Sequence, residues 1–288
     1  MKKEFDEIMF NLAPQLKFGM EELFAINLSL GEFILFMIAG VVTGIINTLA
    51  GSGSLITLPI FMFMCGLPAP VANGTNRIGV LMQSLVGGVS FYRKGHLPTK
   101  NILWLVIPMF IGAVSGANVA VYLDKDSMTT AIGILMLCML VFLLINPKKW
   151  IQESGAGNGE RNRKWYSILI FLGIGFYGGF LQAGVGLFLL AGLVLVARYS
   201  LLQGNAIKML AVIVFSIPAL IIFFQHNQVH IGYGLLMALF QSTGAVLGVR
   251  VISKVPNANL WIHRLLIVIV FFSMLKVFGV FDMLIALF

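Results

Sequence analysis

Two stretches of this chain are apolar enough for a lipid bilayer and yet are cut by a glycine turn. Gly40 to Gly53 reads GVVTGIINTLAGSG, and Gly173 to Gly186 reads GIGFYGGFLQAGVG. The cuts are Gly51-Ser52-Gly53 and Gly184-Val185-Gly186. The apolar segments that follow, Leu55 to Cys65 and Leu187 to Ala197, would each extend only about 16 Å as helix, against a hydrocarbon core of about 30 Å. A turn leaves backbone amides and carbonyls unpaired, and lipid has nothing to pair them with. Such turns must face protein or a watery cavity. Short, glycine-broken segments at matching places in two halves mark the binding site in carriers built from internal repeats.

The rest of the chain fits a bilayer as well. Its 288 residues are 59% hydrophobic and 10% charged, too apolar for a soluble fold of this length to hide. Stretches of spanning character run from Phe33 to Leu49, Ile78 to Phe91, Ile102 to Leu123, Met128 to Asn146, Ile168 to Gln182, Ala211 to Gln225, Gly232 to Val249 and, in part, Leu265 to Leu287. The fold class expected is all-α: a polytopic membrane helix bundle of two inverted repeats, each with a glycine-broken short helix pair. Residues 1–30 mix Lys2, Lys3, Glu4, Asp6, Glu7, Lys17, Glu21 and Glu22. They read as an amphipathic lead-in at the membrane surface rather than a cleaved signal peptide. The net charge of +8 sits in short loops, so no nucleic-acid partner is implied. Cys65 and Cys138 lie in separate apolar segments and imply no disulfide.

The duplication extends beyond the turns. GAVSGANVAVYLDK from Gly112 aligns with GAVLGVRVISKVP from Gly244, an offset of 132, while Gly51 and Gly184 are 133 apart. A near-constant offset at two landmarks indicates an internal repeat. The first repeat is read as 31–146 and the second as 165–288, joined by a polar, glycine-rich linker at 147–164. With five helical pieces per repeat, one side of the membrane receives Arg93, Lys94, Lys100, the linker, Arg198, Lys254 and Arg264. The other receives mainly Lys2, Lys3, Lys17, Lys125 and Lys276. Basic loops face the cytoplasm, which puts the linker there and both termini outside. An odd number of pieces makes the repeats inverted. Four pieces per repeat would make them parallel, with a weaker charge bias.

Arg77 is the most informative charged residue. It follows Pro68 and Pro70, and with Asn73 read as the N-cap it falls about one turn into a helix. Lys208 repeats the arrangement behind Asn205. A cation at a helix start opposes the dipole, and the apolar segments hold almost no carboxylate, only Glu32 and Asp282 at their edges. The missing negative charge is then read as the substrate, a small anion. The turns add backbone amides at Gly51, Gly53, Gly184 and Gly186 and hydroxyls at Ser52, Ser54 and Thr57. Uncharged polar residues inside apolar segments are expected to face the bundle interior: Asn47, Thr75, Asn76, Gln83, Ser84 and Asn118, then Gln182, Ser216, Gln241, Ser242 and Thr243. From these sets the substrate-binding candidates are Asn47, Gly51, Ser52, Gly53, Ser54, Thr75, Asn76, Arg77, Gln83, Gln182, Gly184, Gly186, Lys208 and Gln241. His96, His226, His230 and His263 have no metal-site spacing, and no nucleotide loop or haem motif is visible, so neither metal nor cofactor is expected. No paired acids, clustered histidines or Cys-x-x-Cys suggest an enzyme.

These features resemble the sulfite exporter TauE/SafE family of bacterial membrane proteins. The matching residues are Ala50-Gly51-Ser52-Gly53, then Leu55 to Pro59, then Ala72-Asn73-Gly74-Thr75-Asn76, then Tyr92-x-x-Gly95, with the turn repeated at Ala183-Gly184-Val185-Gly186. In the second half Ala206-Ile207-Lys208-Met209 stands where the Ala72 to Asn76 element would recur. The resemblance spans about Gly31 to the C-terminus. It implies a secondary transporter in the cytoplasmic membrane that exports a small sulfur-containing anion of the sulfite or organosulfonate class. Two other readings fit the residues: uptake of a small anion, and a membrane assembly factor without transport activity. Nothing in the sequence sets the oligomeric state.

Overall fold

The computed structural model describes residues 24–49, 51–95, 102–144, 165–251 and 258–280. Most of the lead-in, Ala50, the linker at 147–164, Lys254 and Asp282 lie outside the described residues. Every regular element among those described is a helix. The chain runs α1 (Leu30–Leu49), α2 (Ser54–Pro59) continuing into one turn of π-helix (Ile60–Met64), α3 (Ala69–Arg93), α4 (Leu103–Val121) and α5 (Lys125–Leu144). It then runs α6 (Trp165–Phe180), α7 (Val185–Ala191) continuing into a second π-turn (Gly192–Val196), α8 (Leu201–Gln225), α9 (Ile231–Val251) and α10 (Ala258–Val277). Among the described residues, five stretches are long and apolar enough to cross a membrane: Leu30–Leu49, Leu103–Val121, Lys125–Leu144, Gln203–Gln225 and Ile231–Arg250. Helix α3 has the length too, but buries Asn73, Thr75, Asn76, Arg77 and Gln83 along its faces.

Local chemistry sets the helix starts. Ser29 and Glu32 form a capping box ahead of α1, the Ser29 amide donating to the Glu32 carboxylate at 2.9 Å. Ser200 and Gln203 do the same for α8. Asp124 accepts from the Asp126 and Ser127 amides at the head of α5. Helix α3 instead starts at Ala69 behind Pro68, with Pro70 in its first turn. Proline fits there because its fixed φ suits a helix and its missing N–H would have no partner anyway. These starts correct the sequence reading of Asn73 and Asn205 as N-caps. Both lie inside their helices, which puts Arg77 and Lys208 two turns in, beyond the reach of the opposing end charge.

The tightest packing is backbone against backbone. A Cβ placed on Gly112 would lie 2.1 Å from the Leu172 carbonyl oxygen, and one on Gly179 would lie 2.0 Å from that of Ala113. Helices α4 and α6 therefore run in contact and in the same direction, with Gly112, Gly116, Gly175 and Gly179 spaced four apart along the seam. Helices α1 and α9 meet likewise, a Cβ on Gly44 falling 2.2 Å from the Gln241 carbonyl oxygen and one on Gly244 2.1 Å from that of Val41. In lipid the hydrophobic effect draws no helix to another, so such close van der Waals approach is the main attraction. Helix α9 also runs parallel to α3, from the bond of the His230 amide to Thr75 at one end to that of Lys94 to the Val249 carbonyl at the other. Helix α8 runs antiparallel to α3: Phe223 lies over Arg77 and Met209 against Gly87. It ends beside the end of α4, where Gln228 donates to the Val121 carbonyl and His226 meets Tyr122. Helices α1, α3 and α9 thus point one way, and α4, α6 and α8 the other.

Not every polar residue turns inward. Asn118 and Thr243 are exposed, contrary to the sequence expectation. Asn118 donates to the Val114 carbonyl and Thr243 to that of Phe240, each within its own helix. A side chain that satisfies itself on its own backbone has no need of the bundle interior.

Candidate functional site

Helix α1 ends at Leu49 and α2 begins at Ser54, so the chain reverses within four residues. Gly51 makes this possible with φ +75°, and Gly184 does the same before α7 with φ +69°. The two reversals touch. A Cβ on Gly51 would lie 2.5 Å from the Gly186 backbone, and one on Gly186 would lie 2.4 Å from the Gly51 Cα. Only glycine allows this approach at both positions.

A small cavity lies at the contact. Asn47, Gly51 and Ser54 line it from the first turn, Ser84 from α3, Gln182 and Gly186 from the second turn, and Lys208 from α8. Lys208 lies two turns into α8 and Ser84 two to three turns before the end of α3, so the cavity lies inside the bundle, nearer the end where α3 finishes and α8 starts. It encloses about 10 Å³, barely room for one water molecule.

Both cations predicted for the site are buried, Arg77 at 0% and Lys208 at 1% exposure. Each reaches out of its own half of the chain. The Arg77 guanidinium donates to the carbonyls of Gly178 at 3.0 Å, Gly179 at 2.5 Å and Phe180 at 3.4 Å, the last residues of α6. The Phe223 ring covers its other side, 4.4 Å from the guanidinium carbon. Lys208 donates to the carbonyls of Asn47 and Thr48, each at 3.2 Å, at the end of α1, and to Asn205 Oδ1 at 2.8 Å. Helix C-termini carry partial negative charge and unpaired carbonyls, so both cations are compensated without a carboxylate.

Several buried polar atoms have no partner among the described residues: Ser52 Oγ, Asn73 Oδ1, Asn76 Nδ2, Arg77 Nε, both amide atoms of Gln83, and Oε1 of Gln182, Gln228 and Gln241. Gln182 is also held at φ +57°, in the left-handed region, and donates to Ser216 Oγ at 2.7 Å. Native interiors rarely leave so many polar atoms unpaired, and a strained residue among them is typical of ligand sites.

Apart from Gln83, which is buried and does not line the cavity, the predicted residues fall into three groups. Asn47, Gly51, Ser54, Gln182, Gly186 and Lys208 surround the cavity, with Ser52, Gly53 and Gly184 in the turns that form it. Asn76 accepts from Thr57 Oγ at 2.5 Å, tying α3 to α2, and Gln241 donates to Thr43 at 3.4 Å while its Oε1 lies against Gly79. Thr75 and Arg77 point elsewhere, to the start of α9 and the end of α6. Sequence reasoning did not assign the carbonyls of Gly178 to Phe180 or of Asn47 and Thr48. The available signal was that a buried cation inside one helix needs acceptors, and the neighbouring helix that stops at a turn supplies them.

A sequence model of the family described as Sulfite exporter TauE/SafE matches residues 36–277, and the chain belongs to that family. It is 27% identical over 223 residues to the probable membrane transporter protein YfcA of Escherichia coli K12, an alignment covering 76% of this chain and 80% of that protein. It is 27% identical over 217 residues to the probable membrane transporter protein ORF9 of a Sinorhizobium species, covering 74% and 80%. A probable membrane transporter protein of Haemophilus influenzae is 25% identical over 223 residues, covering 76% and 84%. No solved structure matches.

Proposed function

We propose that this member of the family is a secondary transporter that carries a small sulfur-containing oxyanion, of the sulfite or organosulfonate class, outward across the cytoplasmic membrane. The observation that carries the reading is the meeting of the two glycine turns on a small buried cavity lined by Ser54, Ser84 and Gln182, with Lys208 in its wall. Ser52, Ser54 and Ser84 supply hydroxyls, Gln182 an amide and Lys208 a charge, which is the donor set a pyramidal or tetrahedral oxyanion needs. The sulfur chemistry itself comes from the family. Outward movement agrees with energetics: a cytoplasm-negative potential drives a monoanion out by about 2.3 kcal/mol per 100 mV.

Two inverted repeats, 31–146 and 165–288, form the framework of this reading. Support comes from the matching order and length of α1 to α5 and α6 to α10, and from the opposite directions of α1 and α6, of α3 and α8, and of α4 and α9. Arg93, Lys94, Arg198 and Arg250 gather at one end of the bundle, where the chain also leaves α5 for the linker. Glu32, Asp124, Lys125 and Asp126 gather at the other. The basic end is the cytoplasmic one by the positive-inside rule.

Counterflow in proteoliposomes tests the function. Vesicles loaded with unlabelled sulfite or methanesulfonate should accumulate the labelled anion transiently, and vesicles loaded with chloride should not. Equal traces for all loadings would reject a sulfur oxyanion as substrate.

A further inference from the structure

Resting on that transport reading, we propose that the two buried cations have different tasks. Lys208 is the residue that meets the anion, and it does so by letting go of the end of α1. Arg77 is a fixed clasp that never leaves α6. The sequence treats the two as equivalents, 131 positions apart in matching helices. Their surroundings separate them.

Arg77 is enclosed. Two of its nitrogens hold three successive carbonyls of α6, Phe223 stacks on it, and Asn73 braces the same helix end by donating to the Phe180 carbonyl at 2.8 Å. A planar fork held on three acceptors and one ring has no free direction in which to turn. It does not line the cavity between the turns.

Lys208 lines that cavity and holds α1 with a single rotatable ammonium, at 3.2 Å to each of two carbonyls. A lysine head is a compact point charge whose three donors can be redirected by one bond rotation. A cavity of about 10 Å³ has no room for an oxyanion, so binding requires a wall to move. The wall that Lys208 holds by hydrogen bonds is the end of α1 with the Gly51 turn attached, which also packs on α9 at Gly248 and on Gly186. An incoming oxyanion replaces the Asn47 and Thr48 carbonyls as acceptor at Nζ. Ser52 Oγ, a buried hydroxyl with no partner among the described residues, lies in the first turn where it can donate to that anion, and Gln182, held at φ +57°, lies in the facing turn. Anion binding and release of the first turn thereby become one event. The Asn205 contact at 2.8 Å keeps the lysine anchored to its own helix throughout.

The test uses purified full-length protein and sulfite as probe, with binding read by thermal shift and by hydrogen exchange. Lys208→Met should weaken apparent sulfite affinity at least tenfold. Lys208→Gln, which keeps N–H donors for the α1 carbonyls, should lose affinity to the same extent while melting within a few degrees of wild type. Arg77→Met should melt well below wild type, yet its folded fraction should bind sulfite within about twofold of wild type. Sulfite should raise exchange in a peptide covering 46–53 and leave one covering 177–182 unchanged. Unchanged affinity in Lys208→Gln, or faster exchange at 177–182 in place of 46–53, would overturn the division of tasks while leaving a transporter of this anion intact. A wild-type protein that binds neither sulfite nor methanesulfonate would overturn this proposal and the transport reading together.

Discussion

Gly51 carries two separate demands, and a single substitution meets both. Its φ of +75° strains any other residue by about 1 kcal/mol, and a Cβ there would strike the Gly186 backbone at 2.5 Å. The contact is between two turns rather than within a helix, so the bundle can survive while the turns part. Gly51→Ala should therefore reach the membrane at normal levels and lose most counterflow activity, and Gly186→Ala should behave alike. Wild-type counterflow from either would mean that the turns need not touch. At this scale the sequence was legible where it forced backbone geometry and misleading where it forced none. Glycine pairs in an apolar run could be read at once. The position of Arg77 could not, because Asn73 looks like a cap and the actual start depends on Pro68. Its three carbonyl acceptors belong to a helix about a hundred residues away and leave no trace in residue type.

The elements are held by two glycine seams, and substitutions along them should separate by position. A Cβ on Gly179 would lie 2.0 Å from the Ala113 carbonyl oxygen, whereas one on Gly173, on the same helix, would meet nothing within 4 Å. Gly179→Leu must push α4 and α6 apart, an overpacking change that typically costs 1–3 kcal/mol, about enough to abolish a sharp melting transition in detergent. Gly173→Ala should be neutral or stabilising by up to about 1 kcal/mol, since alanine is the better helix former and the site is open. Thermal unfolding followed by circular dichroism measures both. Equal melting of the two variants would show that the seam contributes nothing beyond helix propensity. The four-residue spacing of Gly112 and Gly116, and of Gly244 and Gly248, was visible in the sequence and was read only as a sign of duplication. Which partner each seam meets was not written there. In the second half the seam uses Gly175 and Gly179, displaced by two positions from the counterparts of Gly40 and Gly44, so alignment of the repeats alone would have chosen the wrong face.

For the whole molecule, orientation decides which turn cytoplasmic anion would reach first, and we infer it from the charge carried by the two ends. Helices α3, α8 and α9 carry Arg93, Lys94, Arg198 and Arg250 to a common end, because α8 starts where α3 and α9 finish. The opposite end, where α4 passes into α5, has Asp124 and Asp126 flanking Lys125. A bilayer with a negative cytoplasmic potential and anionic inner lipids retains the basic end inside. Tyr92, 62% exposed beside Arg93, and Tyr122, 79% exposed before Asp124, mark the two ends with side chains that hold no buried position. In a background with Cys65 and Cys138 replaced by alanine, Tyr122→Cys should react with a membrane-impermeant maleimide in intact cells. Tyr92→Cys should react only after the membrane is opened. The linker, carrying five basic residues between Pro147 and Lys164, lies outside the described residues but leaves from the same end as Tyr92, so Gly157→Cys should follow Tyr92→Cys. Labelling of Tyr92→Cys from outside with Tyr122→Cys protected would reverse the orientation. The membrane potential would still favour outward movement of a monoanion by about 2.3 kcal/mol per 100 mV, because that drive does not depend on how the protein is inserted, but the turn first reached by cytoplasmic anion would change from one half to the other.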